Sequence, residues 1–170
     1  MTSLHDLGGV PLAWRQPRLF RHAFELTGPD NAVVARLERK NIITDRALAE
    51  CADGRWEFRR AGLLSRRIVL RREGSDVEAG SFSRGFFGGK LELAGGREYR
   101  IRLLRMWPQH WAVLDADGTE LARIEVAFSL LKHRARLTVP PEGARLEEIP
   151  LLVLFSWYHI VHPRHRGDSS

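Results

Sequence analysis

The sequence holds a single cysteine, Cys51, and no long apolar run. One thiol forms no internal disulfide, so nothing indicates an oxidising compartment, and without a CxxC partner we expect a buried thiol rather than a nucleophile. The longest apolar stretch, Ile149–His162, is shorter than the roughly 17 to 25 residues of a membrane-spanning helix. The first residues also lack the basic and then apolar segments of a signal peptide. We therefore expect a cytoplasmic protein that does not span a membrane.

Common catalytic patterns are absent as well. No GxSxG, HExxH or GxGxxG occurs, and these patterns carry acyl transfer, metalloprotease chemistry and dinucleotide binding. The segment 85–90, GFFGGK, resembles a phosphate-binding loop only in part, because Leu91 stands where that loop needs Ser or Thr for magnesium. His159, His162 and His165 are three residues apart, but no second type of ligand accompanies them. The sequence predicts no metal, no cofactor and no enzyme.

The composition is that of one basic globular domain. The 170 residues are 44% hydrophobic, and the net charge is +6 with Arg far outnumbering Lys. A chain of this size buries enough surface to fold as a single domain, residues 1–170, without metals or disulfides. Because the guanidinium group binds phosphate in a bidentate manner, anionic surfaces are candidate partners. Nucleic acid is not favoured, since acidic residues interleave with the basic ones and no reading helix or RNP-like motif is present.

An internal repeat runs through most of the chain. Apolar doublets recur with a period of about 43 residues, in two series: Ile42/Ile43, Phe86/Phe87 and Leu130/Leu131, and Leu63/Leu64 and Met106/Trp107. Between the doublets lie matching pairs of short alternating segments around polar turns. Fixed-period self-similarity indicates a repeat architecture, and we interpret the pattern as three repeats.

Each repeat has the pattern of four antiparallel strands. Gly, Asn and Asp occupy the turns, as tight hairpins require. Residues on the two faces of a strand also alternate in character: in 97–104 one face carries Tyr99, Ile101 and Leu103, and the other carries Arg100, Arg102 and Leu104. Three repeats predict a twelve-stranded antiparallel barrel over residues 19–148, from His22–Thr27 to Ala144–Glu148, after an N-terminal segment 1–18. Closure of such a barrel removes exposed strand edges.

A barrel of twelve strands is too wide for its own side chains to fill. The run 149–162 is the candidate filler: Pro150 suits a first helical turn, Glu147 and Glu148 suit the positive end of a helix, and Pro163 ends it. We predict that this helix threads the barrel and is followed by a basic tail, 163–170. An added buried strand and a membrane-inserted tail are the alternatives.

Twelve repeated strands around an apolar C-terminal helix, with GRWEFRR at 54–60 and GREYRIR at 96–102, resemble the tubby C-terminal superfamily. That superfamily also holds the LURP-one-related proteins and the phospholipid scramblases. The resemblance extends from about Leu19 to His162 and implies a β-barrel with a central helix. For some members it further implies phosphoinositide binding or another lipid-associated role. The calcium-binding segment and spanning helix of the scramblases have no counterpart here, so scrambling is not expected.

The predicted barrel has two chemically different ends, because alternate hairpin loops open on opposite rims. One rim is acidic and rich in glycine, whereas the other, here called the basic rim, carries apolar doublets bracketed by Arg and Lys. Exposed Arg residues contribute little to stability, so we expect Arg→Gln changes there to leave the fold intact. The candidate site residues on the basic rim are Arg59, Arg60, Leu63, Leu64, Arg66, Arg67, Arg84, Phe86, Phe87, Lys90, Trp107 and Lys132.

Two interpretations of the basic rim remain open at this point. Apolar tips ringed by cations suit a monomer that docks peripherally on anionic phospholipid head groups or on a protein partner. Alternatively, the doublets fold inward and plug the barrel mouth over the helix. The leading functional hypothesis is a noncatalytic binding protein. A nucleic-acid-binding protein and a barrel carrier or enzyme with a small-molecule cavity are the alternatives, since fold alone does not decide function.

Overall fold

The computed structural model describes residues 1–18, 22–41, 45–62, 64–127 and 133–161. A short 3-10 helix, Leu4–Leu7, precedes the strands, and two α-helices, α1 (Pro141–Ala144) and α2 (Ile149–Val161), follow them. The twelve strands are β1 Leu12–Arg15, β2 Ala23–Thr27, β3 Val33–Asn41, β4 Arg46–Cys51, β5 Gly54–Arg60, β6 Arg67–Arg72, β7 Glu78–Gly85, β8 Gly88–Leu93, β9 Glu98–Met106, β10 Gln109–Asp115, β11 Glu120–Ala127 and β12 Arg134–Thr138.

The strands form a closed antiparallel barrel. Each strand pairs with its neighbours in sequence, and β1 pairs with β12, with Leu12 opposite Leu137. Apolar and polar residues that alternate along the sequence face opposite sides of the sheet. Tyr99 and Ile101 face the buried interior, whereas Arg100 and Arg102 face solvent. The predicted fold class, a closed twelve-stranded barrel with a C-terminal helix, is confirmed.

The position of the strands along the chain differs from the prediction at both ends. The first strand is β1, inside the segment 1–18 that was predicted to precede the barrel, and the predicted first strand corresponds to β2. The predicted last strand, Ala144–Glu148, is wrong, because Ala144 ends the helix Pro141–Ala144 and residues 145–148 form turns that lead into α2. Pro140 and Pro141 begin this helix, and Gly143 lets it pack closely on β11, since a Cβ atom on this residue would lie 2.0 Å from the Leu121 carbonyl oxygen.

Helix α2 fills the interior of the barrel. Every side chain from Ile149 to His159 is buried. Trp157 stacks on Trp14 with 5.4 Å between ring centroids, and Phe155 contacts Phe58 and Phe82 at 5.2 and 5.0 Å. Burial of large aromatic groups on both sides contributes strongly to stability. The prediction of a threaded helix is confirmed, and the alternatives of a buried strand and a membrane-inserted tail are wrong for Ile149–Val161.

The chain enters the barrel at the glycine-rich rim, and the N-terminal segment covers that end. Leu4 is fully buried, the Ser3 hydroxyl donates a hydrogen bond to Asp53 (2.6 Å), and the His5 ring lies 2.8 Å from the Ala144 carbonyl oxygen. The Gly9 amide donates to Val139 (2.7 Å). Helix α2 therefore runs from a covered end toward the basic rim. No helix within the described ranges is both long and apolar enough to cross a membrane.

Candidate functional site

The basic rim is built from the loops that follow the odd-numbered strands. Because all neighbouring strands are antiparallel, these loops lie at one end of the barrel, where α2 also ends. Two of the loops are tight hairpins. Phe86 and Phe87 form the turn between the paired residues Gly85 and Gly88, and residues 107 and 108 form the turn between Met106 and Gln109. In each hairpin, two residues therefore extend beyond the last paired residues of the strands.

Apolar side chains at this rim project into solvent. In the described ranges eight large hydrophobic residues are exposed, and six of them belong to these loops or the adjoining strand ends. Leu64 is 99% exposed, Phe86 86% and Trp107 67%. The alternative in which the doublets plug the mouth is therefore wrong for these residues. We call the group the apolar tips: Leu64, Phe86, Phe87, Leu104, Met106 and Trp107.

The apolar tips lie on three neighbouring loops of one rim. The rings of Phe86 and Phe87 contact each other, with 4.7 Å between centroids. The Leu103 amide donates to the Phe87 carbonyl (2.9 Å), which ties the first hairpin to the strand that leads to the second. On the other side, the Arg84 amide lies 3.4 Å from the Arg66 carbonyl, next to the loop of Leu64. Exposed apolar patches of this kind mark interaction sites more often than chance exposure.

Exposed arginines flank the apolar tips. Arg59 and Arg102 are exposed and form no ion pair among the described residues. Arg102 lies directly opposite Gly88 in the sheet, one residue from Phe87. Arg105 is also exposed, and its Nε donates a hydrogen bond to the Trp107 carbonyl at 3.0 Å. Arg66 is exposed in the Leu64 loop. Arginine charge and apolar surface thus occupy the same edge.

Arg60 does not belong to the exposed set, in contrast to the prediction. It lies on the inward face with Trp56 and Phe58 and forms an ion pair with buried Asp45 at 3.0 Å. Arg39 holds the second carboxylate oxygen of Asp45 at 2.7 Å. The two arginines and the carboxylate form a buried ion cluster beneath the rim. Such a cluster needs every partner, because removal of one leaves an uncompensated buried charge.

The buried ion cluster sits at the C-terminal end of α2. The Tyr158 hydroxyl donates to the Asp45 backbone carbonyl (3.2 Å). Burial is the main cause that raises the pKa of Tyr158, and the Asp45 charge adds to it, whereas Arg84, Arg39 and Arg60 oppose it. Arg84, another predicted rim residue, is half-buried, and it is close enough to Tyr158 for its charge to act on that hydroxyl. Cations at this end also suit the negative end of the helix dipole.

Two further predicted rim cations are neutralised by carboxylates. Lys90 lies on the outer wall, 2.8 Å from Glu92 and 3.1 Å from Glu98. Its hydrogen bonds to Glu92 and then Glu98 raise the pKa of Lys90, and the bond to Lys90 lowers the pKa of Glu92. Arg67 pairs with Glu78 at 2.7 Å. Neither residue adds an uncompensated charge to the edge.

Some predicted residues lie outside the described ranges, namely Leu63, Lys132, Ile42/Ile43, Leu130/Leu131, His162, His165 and the tail 163–170. Conversely, the candidate site residues did not include Leu104, Met106, Arg102 and Arg105, which are exposed at this rim. The strand alternation that places Arg100 and Arg102 outward also places Leu104 outward, and an outward leucine beside a loop was the available signal. Asp45 was missed as well, although both of its partners are hairpin neighbours: Arg39 lies across the β3–β4 hairpin and Arg60 across the β4–β5 hairpin.

Outside the basic rim, Cys51 is the one nucleophile-type side chain that the sequence singled out. It is buried at the end of β4, with its Sγ 3.7 Å from Asp53 Oδ2. Burial raises the pKa of the Cys51 thiol to about 11. Among the described residues, no group of three or more His, Cys, Asp or Glu side chains is arranged to hold a metal ion. The prediction of a buried thiol is confirmed.

Cys51 in the folded protein should react with Ellman's reagent far more slowly than in the urea-unfolded chain. At pH 8 a thiol with a pKa near 11 is about 0.1% thiolate, whereas an unfolded thiol with a pKa near 8.5 is about a quarter thiolate. The rate of absorbance change measures this difference, and the folded rate should rise as the pH approaches 11. Equal rates in the folded and unfolded states would contradict the buried assignment.

Comparison with known proteins supports the fold alone. No family model matches the chain, and no curated protein matches it in sequence. The crystal structure of the Arabidopsis thaliana protein AT5G01750 is similar, with a TM-score of 0.60 over 91% of this chain and 93% of that chain, at 11% identity. At this identity the likeness extends to the architecture and not to activity or ligands. The chain therefore shares its closed barrel with a plant protein of nearly the same extent.

Proposed function

We propose that this chain is a noncatalytic binding protein of the tubby and LURP-one type that docks on anionic phospholipid membranes through its basic rim. The main observation behind the proposal is that six exposed apolar tips lie on neighbouring loops of one rim, together with the exposed residues Arg59, Arg102 and Arg105. The tubby and LURP-one assignment is supported by the sequence resemblance and by the similar barrel in Arabidopsis thaliana.

The side chains of this edge are better suited to contact with a bilayer surface than to exposure to water. Arginine attracts anionic head groups, at about 1 kcal/mol for each basic residue close to the surface. Apolar and aromatic groups gain free energy when they leave water for the region below the head groups. The two contributions act together only if both kinds of side chain lie on one edge, as Phe87 and Arg102 do.

The filled interior supports a surface site rather than an internal one. A carrier or an enzyme of the barrel type needs space inside the barrel for its ligand. Here the side chains of α2 occupy that space from Ile149 to His159, and aromatic stacking of Trp157 on Trp14 packs one side of it. A site on the outer edge of the barrel is compatible with such a core.

A double variant, Arg59→Gln with Arg102→Gln, should weaken binding to phosphatidylcholine vesicles with about 30% phosphatidylserine. The loss of about 2 kcal/mol corresponds to a roughly thirtyfold increase in Kd, measured by co-sedimentation. The melting temperature should not change, because both side chains are exposed and form no ion pair with another residue of the described ranges.

The matched control is Arg136→Gln with Arg145→Gln, which removes the same charge from exposed positions away from the apolar tips. Under the proposal this control binds nearly as well as the native protein. An equal loss in both double variants would mean that net charge alone, and not this edge, governs binding, and the proposed site would then be wrong.

A further inference from the structure

We infer that the two adjoining hairpin tips, Phe86/Phe87 and Met106/Trp107, enter the hydrocarbon side of the membrane interface, so that the bound partner is the bilayer and not its head groups alone. This inference rests on the proposed function. It adds a specific depth and a specific pair of inserted turns to the electrostatic attraction. A protein that only adsorbed through its charges would leave these side chains in water.

The backbone of the tips is suited to an apolar layer. In each hairpin the residues that flank the turn are paired across it, Gly85 with Gly88 and Met106 with Gln109. Only two residues at each tip extend beyond this pairing, so few peptide groups lose water without a partner. Unpaired peptide groups are costly in hydrocarbon, and a long open loop would expose many more of them.

The positions of the cations set the depth of insertion. Arg102 lies opposite Gly88, immediately next to Phe87, and Arg105 binds the Trp107 carbonyl. At about 3.3 Å per residue along a strand, Arg102 and Arg105 lie within roughly one to three residues of the tips. If they stay with the phosphates, the Phe and Trp rings reach about 5 to 10 Å below them, which is the depth of interfacial binding. Long arginine side chains can also extend toward the head groups as the tips enter.

Tryptophan fluorescence of the native chain can report the insertion of these tips. It has five tryptophans, and four of them are buried: Trp14, Trp56, Trp111 and Trp157 are at most 4% exposed. Trp107 is 67% exposed and sits at one of the two tips. A change in tryptophan emission on vesicle addition therefore reports the surroundings of Trp107, and a Trp107→Phe variant supplies the background signal.

The experiment adds vesicles of phosphatidylcholine with about 30% phosphatidylserine and follows tryptophan emission and co-sedimentation on the same samples. We expect a blue shift on binding, quenching by lipids brominated on the upper acyl chain, and neither effect in Trp107→Phe. A Phe86→Ser, Phe87→Ser variant should melt like the native protein, since both rings are exposed, and should lose at least tenfold in vesicle affinity.

The outcomes separate insertion from the proposed function. Salt-sensitive co-sedimentation without a blue shift, with the double Phe variant binding as well as the native protein, overturns insertion and leaves electrostatic docking in place. Absence of co-sedimentation overturns both. A lower melting temperature in the double Phe variant would show that the rings pack against the barrel, and this too overturns insertion.

Discussion

Replacement of Leu154 by Asp should prevent the protein from folding in soluble form. Leu154 is fully buried in the middle of α2, inside the barrel. An unpaired carboxylate there costs at least several kcal/mol, which is comparable with the 5 to 15 kcal/mol that stabilise a typical domain. The soluble fraction after expression and the cooperativity of thermal unfolding measure the effect.

Leu64→Asp is the matched control, because the same change is made at a side chain that is 99% exposed. It should leave solubility and melting temperature close to those of the native protein. If Leu154→Asp were soluble and melted as cooperatively as the native protein, α2 would not fill the barrel in solution, and the filled-core argument against an internal ligand site would fall.

Asp45→Asn should destabilise the protein by about 3 to 5 kcal/mol, because it leaves two guanidinium groups near the barrel mouth without their carboxylate. Asp45 is buried between Arg39 at 2.7 Å and Arg60 at 3.0 Å. Its φ of 50° is tolerated by asparagine, so the effect of the variant is that of charge and not of backbone strain. Urea unfolding gives the change in free energy directly.

The control for this change is Glu78→Gln, which breaks the exposed ion pair with Arg67. Exposed pairs contribute little, so this variant should melt almost as the native protein does. Equal behaviour of the two variants would show that the buried ion cluster does not stabilise the mouth.

The sequence was sufficient to predict the architecture because turn chemistry and period-two alternation repeat through the chain. The repeat does not locate the strands at the two ends of the barrel, because those strands do not follow its period. β1 is only four residues long and lies among Pro11 and Pro17, so its alternation, with Leu12 and Trp14 buried, is too short to recognise. At the other end Pro140 and Pro141 end the sheet and begin a helix, whereas the repeat predicts a further hairpin there.

The candidate site was predicted in outline, since apolar residues in loops between basic residues stand out in any strand pattern. Which arginines are exposed was only partly predictable. The alternation that buries Trp56 and Phe58 also turns Arg60 inward, so its burial could have been inferred. Its pairing with Asp45 depends on the exact register of the β4–β5 hairpin, which places Ala47 opposite Phe58 and so brings Asp45 opposite Arg60.

Binding of the basic rim to anionic membranes is tested most directly by co-sedimentation of the native protein over a salt series. The comparison uses phosphatidylcholine vesicles with and without about 30% phosphatidylserine. We predict binding only to the anionic vesicles, and we predict that it weakens as the Debye length falls from about 10 Å at 0.1 M salt to about 3 Å at 1 M. Absence of binding at low salt, or equal binding to both vesicles, would contradict the account.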